Sequence, residues 1–271
     1  MNNQCRSLYE RMRRGLLSFP VTLFDSDLNL DMTRYTNHVD WLIQHDVFGL
    51  FPAGGTGEFF SLSDGEIAST VTAAVDASQG RVPVIAPIGG STSAAIEHAR
   101  ELEQLGADGA LLFPPYLVRP SERGLFDHLD AVLSATNLPV IVYGRANAVP
   151  TADCVIRLAE RHPHLLGYKD GVGGLATLTG IRAELGEQFL LVGGVPTAET
   201  LALAYRSVGA TTYSSAMFNF APDFAISFYN NVMAEKTEAV LSDIRSFIRP
   251  FVAMRDREAG YAVSIIKAGL D

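Results

Sequence analysis

The stretch FGLFPAGGTGEFFSLSDGE, Phe48 to Glu66, holds one complete cycle of this chain's plan. It is apolar up to Ala53. It then changes abruptly to Gly54-Gly55-Thr56-Gly57-Glu58 and presents Ser63-Asp64-Gly65-Glu66 soon after. A short apolar run bounded by glycines predicts a buried strand. A serine followed by acids within one turn predicts a helix start, because the hydroxyl accepts an otherwise unpaired amide and the acids sit at the positive end of the helix dipole. Strand, bare loop and capped helix make one βα unit.

Working outward, the same order recurs along the chain. Apolar runs predict further strands in LLSFPVTLF from Leu16, PVIAP from Pro83, GALLFP from Gly109, PVIVY from Pro139, LLGYK from Leu165, FLLVGG from Phe189 and ATTYSS from Ala210. Helix starts are read at Ser91-Thr92-Ser93, Ser121-Glu122, Thr151-Ala152-Asp153 and Pro196-Thr197-Ala198-Glu199. Nearly continuous apolar strands separated by helices require a parallel sheet covered on its faces. Eight such units in about 250 residues suit a closed (β/α)₈ TIM barrel. An open doubly wound sheet is the alternative, and the first strand leads into no GxGxxG loop of the kind that fold uses. The expected division is a barrel over residues 1–235 and a C-terminal helical extension over 236–271, with one helix through Val240–Met254 and another from Glu258 onward.

Composition narrows the function. With 271 residues, 48% of them apolar, the chain can bury a large core. The net charge of −9 and the absence of any Lys/Arg run argue against nucleic acid and anionic membrane as partners. No run approaches the ~18 apolar residues of a membrane span. The two cysteines, Cys5 and Cys154, form neither a metal pattern nor a disulfide framework, which fits a reducing cytoplasm. The basic N-terminus lacks the apolar core of a secretory signal. The six histidines, His38, His45, His98, His128, His162 and His164, fall on or just after predicted helices, so we expect them at the surface and expect no metal site.

In a barrel of this kind the chemistry sits at the C-terminal ends of the strands. Lys169 ends the sixth strand, in an otherwise apolar run. A desolvated lysine loses basicity, and a free amine can form a Schiff base with a ketone. A lysine paired with Asp170, or solvated at the rim, is the other option. Tyr143 ends the neighbouring fifth strand, about 4.8 Å away, where its hydroxyl could move protons at the same atom. The amides of Gly54 and Gly55 with the Thr56 hydroxyl could form an anion-binding loop suited to a carboxylate, and physically also to a phosphate, although no GxxxxGK pattern accompanies it; a plain tight turn is the other option. Arg145, two residues beyond Tyr143, can offer a fork to a second carboxylate.

AGGTGEFFSL, IVYGRANA and GYKDGVGG together resemble the dihydrodipicolinate synthase / N-acetylneuraminate lyase superfamily of Schiff-base aldolase barrels. The resemblance covers essentially the whole chain. The Gly-Gly-Thr loop, KDGVG and TTYSSAMFNF are most similar to its 5-dehydro-4-deoxyglucarate dehydratase branch. The resemblance implies that Lys169 is the Schiff-base lysine, that Tyr143 shuttles protons, and that Gly55 and Thr56 hold the keto-acid carboxylate. Gly194 and Ser214 or Ser215 would line the far part of the site. It also implies a small keto-diacid as substrate, dehydration coupled to decarboxylation, and no cofactor. The helices after about Glu235 add apolar residues such as Ile244, Phe247, Ile248 and Phe251, more than one barrel needs to cover, so a homo-oligomer, dimer or tetramer, is expected. A retro-aldol lyase on a related 2-keto-3-deoxy acid, or a keto-acid-binding barrel without catalysis, would carry the same residues. Three departures stand out. Leu117 replaces the tyrosine that enters a neighbouring subunit's site in the synthase branch, Gly174 stands where the dehydratase branch has Asp, and relatives continue through a further helical stretch after YAVSIIKAG.

Overall fold

The computed structural model describes residues 2–115 and 119–270, so Leu117 lies outside the described residues. Eight strands form one parallel sheet: β1 (Gly15–Ser18), β2 (Val47–Leu50), β3 (Ile85–Ile88), β4 (Gly109–Leu112), β5 (Val140–Gly144), β6 (Leu165–Asp170), β7 (Leu190–Gly193) and β8 (Thr212–Ser215). The strand order is β2-β1-β8-β7-β6-β5-β4-β3, and a single parallel bridge, Leu50 to Val84, closes β2 onto β3. The ring is the expected TIM barrel. Every residue of β3 to β7 is buried, which is why these strands read as unbroken apolar runs instead of alternating ones.

The helices are α1 (Asn3–Met12), α2 (Met32–Ile43), α3 (Asp64–Ser78), α4 (Thr92–Gln104), α5 (Glu122–Leu133), α6 (Ala152–Arg161), α7 (Leu175–Leu185), α8 (Ala202–Ser207) and α9 (Pro222–Met233). α10 (Thr237–Asp243), α11 (Arg249–Arg255) and α12 (Tyr261–Ala268) follow. Ser63, Ser91, Ser121 and Thr151 cap α3, α4, α5 and α6 as expected. At Ser63 the box is reciprocal, with the Glu66 carboxylate accepting the Ser63 amide. The start expected at Pro196–Glu199 differs. Thr197 has φ +55 and makes no cap, and the chain forms a 3₁₀ turn at Ala198–Leu201 before α8. Within the barrel, the run expected from Leu16 to Phe24 pairs only as far as Ser18, and Phe24 forms an isolated antiparallel bridge with Leu30. Pro20 has no amide to give, and Asn219 takes over, its Oδ1 accepting from the Val21 amide and its Nδ2 donating to the Phe19 carbonyl.

The histidines correct the surface expectation. His38, His98 and His162 are buried, each with a polar partner: Asn219, Asp64 and Asp130. His38 and His98 lie on the inward faces of α2 and α4 and His162 just past the end of α6, where a bonded imidazole packs like an aromatic ring. Both cysteines are free and buried. No described helix is long and apolar enough to cross a membrane.

After α9 the backbone turns at Glu235, φ +58. From Thr237 to Arg255 it is helical throughout, widened to a π-turn at Ile244–Ile248. Pro250 lacks an amide and its ring would strike a carbonyl one turn back, and the widened turn immediately before it relieves both faults. Residues of α12 then lie across the mouth of the barrel.

Candidate active site

A cleft of about 580 Å³ opens at the C-terminal end of the barrel. Lys169 lies at its floor, 3% exposed. Strand register sets Tyr143 directly opposite Lys169, as their consecutive strand ends imply. The amine donates to the Gly194 carbonyl at 3.3 Å and stands 3.9 Å from the Tyr143 ring centre and 5.0 Å from that of Phe19. The Tyr143 hydroxyl donates to the same carbonyl at 3.3 Å and accepts from Arg145 Nη1 at 2.9 Å. One backbone oxygen therefore holds the amine and the phenol side by side.

Asp170 is not the partner of the amine. Its carboxylate accepts from the amides of Val172, Gly173 and Gly174 and from the Tyr205 hydroxyl. Gly174 thus serves as a backbone donor, at the position that caps α7. Burial is the main influence on Lys169 and lowers its pKa from the ordinary lysine value. Tyr143 opposes this shift and Arg145 adds to it. For Tyr143, burial alone would raise the pKa, but the charges of Lys169 and Arg145 outweigh it and the phenol is more acidic than usual. The arrangement holds an amine that is neutral more readily next to a phenol that ionises more readily. That is what carbonyl attack and proton transfer at one carbon require.

Gly194 leaves room for the lysine, since a Cβ there would lie 2.5 Å from Nζ. In the glycine loop the two leading glycines divide. A Cβ on Gly54 would run into the Phe19 ring, so Gly54 packs inward and does not face the cleft. At Gly55 a Cβ would meet nothing within 4 Å, and Gly55 with Thr56 lines the cleft. Ser214 and Ser215 also divide. Ser214 lines the cleft, whereas Ser215 is fully buried and donates to Glu199 behind the strand. Adjacent residues of a strand face opposite ways, so only one of the pair could point inward. The structure therefore brings Lys169, Tyr143, Arg145, Gly55, Thr56, Gly194 and Ser214 around one cavity and leaves Ser215 out.

Residues 12–271 match the model of the dihydrodipicolinate synthetase family. The chain belongs to that family. Among curated relatives, the Methylobacterium radiotolerans protein named "Probable 5-dehydro-4-deoxyglucarate dehydratase" is 52% identical over 94% of this chain and 84% of its own length. One of the same name from Saccharopolyspora erythraea is 51% identical over 96% and 84%. Among solved structures, a prophage protein of the dihydrodipicolinic acid synthase family from E. coli K12, in complex with pyruvate, is 25% identical with a TM-score of 0.84, covering 95% of this chain and 87% of its own. The dihydrodipicolinate synthase of Bacillus clausii is 26% identical, with a TM-score of 0.86 over 96% and 87%.

Within this dihydrodipicolinate synthetase family barrel, several cleft residues carried no sequence signal. Thr197 and Arg255 line the cleft, with Arg255 Nη1 donating to Thr197 Oγ1 at 2.6 Å. Glu58, φ +65, ends the glycine loop and pairs with Lys267 of α12 at 2.5 Å. Phe19, Phe59 and Phe113 form its apolar wall. Arg255 and Lys267 sit on helices beyond the eighth strand, where a search of strand ends does not look.

Proposed function

We propose that this protein is a Schiff-base lyase that dehydrates and decarboxylates 5-dehydro-4-deoxy-D-glucarate to 2,5-dioxopentanoate, CO₂ and water. The observation that carries it is the shared Gly194 carbonyl, which sets a buried amine and an acidified phenol together on the floor of a cleft. The names of relatives at 51–52% identity support the substrate, and the pyruvate complex of the E. coli relative supports keto-acid binding.

The keto acid's carboxylate rests on the Gly55 and Thr56 amides and the Thr56 hydroxyl. Lys169 attacks the ketone. Tyr143 relays the protons by which the carbinolamine loses water to become an iminium. The iminium acidifies the adjacent methylene. Loss of that proton gives an enamine, which expels the hydroxyl on the next carbon as water. The conjugated iminium then accepts the electron pair released when the distal carboxylate leaves as CO₂. Reprotonation and hydrolysis return Lys169 and release the aldehyde. One sink serves both losses, and no redox change requires a further reactant.

Borohydride trapping read by intact mass tests the covalent step, and parallel assays for CO₂ and pyruvate test the outcome. The parent protein should trap substrate on Lys169 and release CO₂ and aldehyde in equal amounts. Lys169→Ala should lose both adduct and turnover. Pyruvate release would move the protein to the aldolase reading, and turnover surviving in Lys169→Ala would end the mechanism. The same proposal treats residues 1–235 as the catalytic barrel and 236–271 as a helical extension packed on it, in a cytoplasmic homo-oligomer, dimer or tetramer. Of the apolar residues expected to drive assembly, Ile248 and Phe251 are buried within the chain, and Ile244 and Phe247 only partly so. Exposed Leu241, Met254 and Tyr261 are better candidates. A monomer by sedimentation at micromolar concentrations would remove the assembly.

A further inference from the structure

We infer that Arg255, carried by α11 and by no strand of the barrel, is the specificity-determining cation for the far carboxylate of a keto-diacid. The inference rests on the Schiff-base reading and names the group at the other end of the same site.

Among the described residues, three cations line the cleft: Lys169, Arg145 and Arg255. Lys169 is the proposed nucleophile. Arg145 bends back to donate to the Tyr143 hydroxyl, which places its charge at the reacting carbon. Arg255 is the remaining cation. Its side chain is only 15% exposed, and its orientation is fixed from two sides. On the solvent side, Asp256 accepts from Nε at 2.7 Å and from Nη2 at 3.1 Å. On the cleft side, Nη1 donates to Thr197 Oγ1. A guanidinium has five N–H donors, so these three bonds leave one on Nη1 and one on Nη2. Two donors on adjacent nitrogens match the two oxygens of a carboxylate.

Thr197 supplies an independent observation. It is β-branched yet has φ +55, a conformation that such residues seldom adopt and that persists only where the surroundings impose it. Its hydroxyl accepts from Arg255, which leaves its own proton for a further acceptor. The strained backbone, the hydroxyl and the guanidinium meet at one wall of the cleft. Position in the ring agrees. Gly55 and Thr56 follow β2, Lys169 ends β6, and Thr197 follows β7. A keto acid bound by its near carboxylate, with its ketone at Lys169, directs its remaining carbons towards β7 and β8. Asp256 already balances the charge of Arg255, so a substrate with a neutral far end would leave only the two remaining N–H donors unfilled.

The test compares two ketones that form Schiff bases but lack the leaving hydroxyl: pyruvate, and the six-carbon diacid 2-oxoadipate. Borohydride-trapped adduct is measured by intact mass against ligand concentration, in the unaltered protein, Arg255→Met, Arg255→Lys and Thr197→Val. Arg255→Met should raise the half-saturating concentration of 2-oxoadipate about 10–100-fold, the range lost with a charged hydrogen bond, and leave pyruvate within about twofold. Arg255→Lys should fall between the two, since it keeps the charge without the fork. Thr197→Val should weaken 2-oxoadipate alone, and it keeps the test decisive if Arg255→Met does not fold. Equal weakening of both ligands would make Arg255 a structural residue, and identical 2-oxoadipate curves in all four proteins would remove it from recognition; either result overturns the inference while the Schiff base stands. Absence of adduct with both ligands in the unaltered protein would overturn the Schiff-base reading, and this inference with it.

Discussion

Arg145 stands beside both proposed reacting groups and acts on them in one direction. Its charge disfavours protonated Lys169 and favours ionised Tyr143. Arg145→Met should therefore raise both pKa values, and the acid limb of kcat/KM should move to higher pH. A limb that stays in place would remove Arg145 from the electrostatics of the site. Gly55→Val should raise KM and leave the melting temperature nearly unchanged, because a Cβ at this position meets no protein atom within 4 Å and the position lines the cleft. Gly194→Ala is the opposite case. The new methyl falls on the lysine side chain, so kcat should drop by at least tenfold with the adduct formed slowly. Much of this was legible beforehand, since an amine closing an apolar strand is an anomaly that sequence displays. The failures are equally physical. Ser214 and Ser215 are equal candidates in sequence, and only the facing of strand neighbours decides between them. Arg255 offered nothing to notice, because an arginine on a late helix looks solvent-bound until the fold brings α11 over the mouth.

At the scale of elements, the serine and threonine caps were readable because each is a local bond between a hydroxyl and an amide three residues on. Ser63→Ala removes the hydroxyl half of the box on α3, leaves the residue-63 amide donating to Glu66, and should destabilise the protein by about 1 kcal/mol. Denaturant titration showing no change would make that box ornamental. Thr197 resembled a cap in sequence and is none, because the segment after β7 turns through a left-handed residue to meet Arg255. The early end of β1 was hidden for a related reason. The apolar run continues to Phe24, but its hydrogen bonds pass to Asn219, 198 residues from Val21 in sequence.

At the scale of the whole molecule, one buried acid should make stability depend on pH. Glu199 is fully enclosed, and burial pushes its pKa up to about 7, against a partial opposing effect from the Ser215 hydroxyl. Its Oε2 has no partner, and the buried Tyr213 hydroxyl is likewise unpaired. Between the ordinary glutamate value and about 7 the folded protein binds more protons than the unfolded chain, so stability should fall as pH rises through that window and level off above it. The loss should be on the order of 3 kcal/mol. Glu199→Gln should flatten the curve, and a curve of unchanged slope in that variant would assign the titration elsewhere. The closed barrel was legible as a rhythm of eight units, but the unevenness of its joints was not. Seven joints of the ring are ladders of paired residues, whereas the eighth, between β2 and β3, is a single bridge from Leu50 to Val84. A hoop stitched this unevenly will breathe at its seam. Under native conditions, deuterium should enter the amides of residues 47–50 and 84–88 before those of β5 and β6, and a keto acid seated on the loop that hangs from β2 should slow that uptake.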